Sequence, residues 1–150
     1  EDTPEQKKSG GETARVVEEA RERKKAGNAA LAAEDLDSAL NHYDDALEAI
    51  SRHCTTAASC GGRPEDELVE MAVALMNNKA LTLLRMAAMM ENLAGSGAAV
   101  GCYEDAAASA EAALELNPKN AKAMQRLETA RGRAYALGAG RSSCSGSRAT

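Results

Sequence analysis

Apolar residues recur at three- and four-residue spacing through two neighbouring segments, Thr13 to Ala33 and Leu36 to Ser51, parted only by Glu34-Asp35. That spacing is the helical period, and so short a break predicts an antiparallel helix pair whose second member is most amphipathic over Asp37 to Ile50. The polar stretch Arg52 to Arg63 reads as a loop. Pro64-Glu65-Asp66-Glu67 then carries the marks of a helix start, with Pro near the first turn and acids at the positive end of the helix dipole. The helix it opens runs to Asn92, and its interior, MAVALMNNKALTLLRMAAMM, is apolar on most sides but broken by two adjacent asparagines. Gly95 to Gly101 is expected to be a Gly-rich loop. Tyr103 to Leu116 reads as a helix stopped by Asn117-Pro118, and Asn120 to Leu137 as another that ends before Gly138. The pattern predicts five helices, no strand and an all-α fold. Residues 1–11 and 138–150, polar or rich in Gly and Ser, are expected to be flexible flanks of one domain over 12–137.

Composition narrows the core. There is no Phe or Trp and only 3 Tyr, yet 44% of residues are hydrophobic, so Ala, Leu, Met and Val must fill the interior. Such residues favour closely packed helices. No apolar run approaches the roughly 18 residues a membrane span needs, and the acidic start Glu1-Asp2 is unlike a signal peptide, so a soluble, cytoplasmic protein is expected. The chain does not begin with Met and is expected to be an excerpt of a longer protein or a processed chain.

Charge is uneven. Of the net −5, residues 119–150 contribute +6 and residues 1–118 contribute −11, so the basic end suits an acidic partner. Nucleic acid is not expected, because the basic segment holds one aromatic, Tyr135, and no stacking array. Cys54, Cys60, Cys102 and Cys144 lack the spacing of a disulfide framework and are expected as free thiols in a reducing compartment. His53, Cys54 and Cys60 match no strong zinc pattern, and neither a metal nor a cofactor is expected. No Ser/His/Asp set or GxxxxGK[ST] motif points to catalysis, and His42 beside Tyr43 reads as a packing or surface residue, so an enzyme is not expected.

One pattern occurs twice: LDSALNHYDDALEAI over 36–50 and YEDAAASAEAALELNP over 103–118. Both resemble the second helix of a tetratricopeptide repeat (TPR), a 34-residue helix pair. In that family small residues recur where the paired helices approach closely. Gly27, Ala39 and Ala46 match those positions in a first repeat, with Tyr43 at the usual aromatic position. Ala80, Ala106 and Ala113 match them in a second, which Pro118 closes, if residues 52–63 and 92–102 lengthen the links. Long links of this kind resemble the immunophilin type of TPR domain. A third unit departs from the pattern at Glu128 and Arg131. The resemblance covers residues 12–137 and implies a helix-turn-helix superhelical stack of two full repeats plus a terminal capping helix. Met124, Leu127 and Leu137 on that last helix would offer apolar atoms to a second copy, although a monomer is expected.

One TPR subgroup holds the C-terminal Glu-Glu-Val-Asp tail of heat-shock chaperones in a two-carboxylate clamp. Its Lys-x-x-x-Asn, Asn and Lys-x-x-x-Arg pattern is matched here by Lys24 and Asn28, Asn78, and Lys122 and Arg126. Residues four apart share a helix face, so each pair points one way. Leu31, Leu81 and Arg85 fall where the family places an apolar wall and a further cation. The resemblance implies an adaptor for the acidic C-terminal peptide of 90-kDa or 70-kDa heat-shock proteins. The alternative is a TPR scaffold that binds an internal helix or loop and leaves the clamp unused. Asn28 speaks for the first: placed inside a helix, where Asn costs propensity, it calls for a hydrogen-bonding role.

Overall fold

The computed structural model describes the backbone of residues 4–59, 61–62 and 64–145, and the side chains of 10–59, 61–62, 64–95 and 97–138. Among these residues five helices follow in order: α1 (Pro4–Ala32), α2 (Leu36–Ser59), α3 (Asp66–Ala94), α4 (Ser96–Leu116) and α5 (Ala121–Ser145). No strand occurs among the described residues, and the fold is all-α. Among the described residues no helix is long and apolar enough to cross a membrane.

The chain divides into two compact units, one ending at Asn78 and the other beginning at Lys79, within α3. In the first unit α1 packs along α2. The turn between them is built from caps. The carbonyl of Ala30 accepts from the Asp35 N–H at 2.9 Å and that of Leu31 from the Glu34 N–H at 3.1 Å, with Glu34 in the left-handed region at φ 62°. This double closure satisfies carbonyls that the helix end would otherwise leave without partners. Asp35 then caps α2: its two carboxylate oxygens accept from the Ser38 N–H and Ser38 hydroxyl, at 3.1 and 2.7 Å. These bonds favour the charged form and hold the Asp35 pKa below its ordinary value.

The buried apolar residues of the first unit include Val17 and Ala20 of α1, Ala39, Tyr43, Ala46 and Ile50 of α2, and Leu68 and Leu75 of α3. Tyr43 is fully buried, and sheltering so large a ring contributes on the order of 2 kcal/mol. It fits because residue 27 is glycine. A β-carbon there would stand 2.5 Å from Cε1 and 2.9 Å from Cδ1 of the Tyr43 ring. The small residues Ala39 and Ala46 are likewise fully buried on α2.

In the second unit α4 packs along α5. Ala87, Ala99 and Tyr103 form a core cluster flanked by Leu84, Met90, Cys102, Ala134 and Leu137. Ala80, Ala106, Ala110 and Ala113 are fully buried. A polar group closes one side: the Tyr103 hydroxyl donates to Glu91 at 2.8 Å, and Arg133 pairs with the same carboxylate. Burial pushes the Tyr103 phenol up, and the Glu91 bond adds to that shift. Asn120 caps α5, its side-chain oxygen accepting from the Ala123 N–H at 2.9 Å.

Several boundaries differ from the sequence-based expectation, all in the same direction. α1 begins at Pro4 instead of Thr13, and α5 continues past Gly138 to Ser145. Most of the expected loop at 52–63 is the last part of α2, and the expected loop at 95–101 shrinks to Gly95, at φ 83°, because α4 begins at Ser96. Each glycine costs a helix about 1 kcal/mol relative to Ala, a penalty that a few flanking Ala, Lys, Glu or Gln residues offset. Residues 1–3 and 146–150 lie outside the described residues, as do the side chains of Cys60 and Cys144.

Candidate functional site

Four of the residues singled out by sequence belong to the first unit. Lys24 and Asn28 lie one turn apart on α1, so their side chains rise from one face. Asn78, 50 positions further on, comes to meet them: its Nδ2 donates to Asn28 Oδ1 at 2.9 Å. The buried hydroxyl of Tyr43 donates to the same oxygen at 2.7 Å. With two donors on Oδ1, the Nδ2 group of the exposed Asn28 amide is left to face outward as a hydrogen-bond donor. Leu31 is only 9% exposed and serves the core more than an open wall. The neighbouring Asn77 is the buried member of the asparagine pair, at 6% exposure, and Asn78 is half-buried.

The other four belong to the second unit. Leu81 is half-buried and Arg85 exposed on α3; Lys122 is exposed and Arg126 half-buried on α5. Burial pushes the Arg126 guanidinium down from its ordinary value, yet an arginine remains cationic at neutral pH. A cation that has lost part of its hydration gains more from an arriving anion than a fully solvated one does.

The ion pairs separate these cations from their neighbours. Arg21 pairs with Glu18 and Glu67, Arg23 with Glu19 and Asp45, Arg52 with Glu48, Arg131 with Glu111 and Arg133 with Glu91. Lys24, Arg85 and Lys122 make no such pair among the described residues. Each is therefore a charge that no described side chain neutralises.

A recess of about 250 Å³ in the first unit is lined by Glu12, Val16, Glu19, Ala49, Arg52 and His53, away from Lys24, Asn28 and Asn78. Of those three, Asn28 is exposed and Lys24 and Asn78 are half-buried, and none of them lines this recess. No cluster of three or more metal-binding side chains occurs among the described residues. His53 Nε2 instead meets the buried Thr13 hydroxyl at 2.9 Å. Cys54 and Cys102 are free thiols, and burial pushes the Cys102 thiol up, away from the reactive thiolate.

Sequence reading placed Tyr43 only as a packing aromatic and missed its hydroxyl contact. An exposed-helix Asn immediately after a glycine that an aromatic ring covers is the signal that would have found it. Arg133, Glu91 and Tyr103 were missed as a group because they lie on three helices. No family model matches the chain, and no curated protein matches it.

Proposed function

We propose that this chain is a cytoplasmic TPR adaptor, two repeats and a capping helix, that holds the acidic C-terminal tail of a 90-kDa or 70-kDa heat-shock protein. By the resemblance, Lys24, Asn28, Asn78, Lys122 and Arg126 would hold the carboxylates of the terminal Asp. Leu81 and Arg85 would meet the residues before it.

The observation that supports this reading most directly is the 2.9 Å bond between Asn28 and Asn78, two residues that the resemblance to the clamp pattern had singled out 50 positions apart. The chemistry of the tail agrees. A terminal Asp carries two carboxylates within a few ångströms, and charge-assisted bonds from Lys and Arg, completed by amide N–H groups, satisfy their oxygens. Affinity for a single short tail should be roughly micromolar, since ordering an extended peptide offsets much of the contact energy.

Calorimetric titration with a peptide ending in Met-Glu-Glu-Val-Asp, as the free acid and as the C-terminal amide, tests the proposal. Preference for the free acid, weakening as salt rises, is expected. Equal binding of the two forms would move the assignment to a scaffold that grips an internal segment, and absence of binding would refute the tail-binding reading.

A further inference from the structure

We infer that Tyr43, a residue no ligand can touch, is a positioning residue that anchors the Asn28 amide in the orientation in which it meets a bound peptide. The inference rests on the reading of Asn28 as a carboxylate-binding group. An asparagine amide has two orientations of nearly equal shape, one presenting an acceptor and the other two donors. Only the donor end can bind a carboxylate; the acceptor end would oppose it.

The Asn78 NH2 group, which can only donate, selects the donor end here, and the Tyr43 hydroxyl anchors the amide in that orientation. Tyr43, 0% exposed, donates its hydroxyl to Asn28 Oδ1 at 2.7 Å, and Asn78 Nδ2 donates to the same atom at 2.9 Å. Turning the amide over would set two NH2 groups, that of Asn28 and that of Asn78, against each other. The phenol adds a second partner from below, and its position is itself tight: the ring lies so close over Gly27 that a single added methyl would overlap it. The hydroxyl therefore cannot drift away from Asn28 without moving a buried ring. Gly27, Tyr43 and Asn28 thus couple core packing to the polarity of a surface group before any peptide arrives, which spares the peptide the cost of ordering it.

The test is Tyr43→Phe in the full chain, which removes one oxygen and leaves the ring. Three readouts are taken: the order parameter of the Asn28 side-chain NH2 group by NMR, the ratio of affinities for the free-acid and amidated peptides, and the same ratio with Asn28→Ala added. The expected result is a lower order parameter and a free-acid preference reduced roughly threefold to tenfold, the worth of one hydrogen bond. In the Asn28→Ala background, Tyr43→Phe should change the ratio no further. An unchanged order parameter, an unchanged ratio, or an equal drop in the Asn28→Ala background would each overturn the inference. If the unmutated chain shows no preference for the free acid, the carboxylate reading of Asn28 fails first, and the role assigned to Tyr43 in binding falls with it.

Discussion

Replacing Gly27 by Ala should destabilise the first unit, although Ala is the better helix former. The added methyl would lie 2.5 Å from Cε1, 2.9 Å from Cδ1 and 3.0 Å from Cζ of Tyr43, where carbon atoms normally rest about 3.5–4.0 Å apart. The ring must retreat by about 1 Å, and it has no room, because it is fully buried with its hydroxyl bound to Asn28. Overpacking of this kind costs about 1–3 kcal/mol, and a stretched hydrogen bond adds about 1 kcal/mol. Against that stands a gain of about 1 kcal/mol from removing a helical glycine. The net loss is about 1–3 kcal/mol. Gly132 on α5 supplies the control, because a methyl there meets nothing within 4 Å; Gly132→Ala should stabilise by about 0.5–1 kcal/mol. Urea unfolding followed by circular dichroism reads both, provided the slope with denaturant is unchanged. If both variants gain stability alike, helix propensity alone governs residue 27, and the close approach of α1 and α2 is wrong.

Three further outcomes follow from the same geometry. Glu34→Gly should stabilise by about 0.5–1 kcal/mol in the same unfolding assay, because the left-handed backbone at φ 62° strains every residue with a β-carbon. Asp35 has a folded pKa below its unfolded value, so its contribution to stability is present above about pH 4 and fades as pH falls through the depressed folded pKa. An Asp35→Asn variant should accordingly show a flatter acid limb in stability measured from neutral pH downward, whereas an unchanged limb would deny Asp35 its capping role. Lys24→Ala and Lys122→Ala should each weaken free-acid peptide binding by about 2 kcal/mol or more, roughly thirtyfold, while leaving thermal unfolding nearly unchanged, since neither lysine is paired among the described residues. Normal affinity in either variant would remove that lysine from the clamp.

The amino-acid order by itself determined the class of the molecule. Five helices are legible because the 3.6-residue period survives in any environment: Ala39, Tyr43, Ala46 and Ile50 mark one face of α2 whatever packs against it, and all four are buried. The Glu34-Asp35 turn was equally legible, for a cap is a local bargain among residues a few positions apart. Helix ends were less so. At 4–11, 52–59, 96–101 and 138–145 the composition argues for loops, but local propensity is worth about 1 kcal/mol per glycine and yields to the helix around it.

What only the tertiary structure decided are the contacts between distant positions. The clamp resemblance singled out Asn78, yet neither it nor composition could say that Asn78 bonds Asn28 or that a buried phenol bonds the same oxygen. The same holds for Arg133, 42 residues from Glu91, and for the closeness of Gly27 to the Tyr43 ring. Periodicity fixes which face of a helix turns inward, since it depends only on neighbours along the chain. The direction in which an amide points, and the distance at which two helices stop, depend on atoms that folding brings together from far apart in sequence.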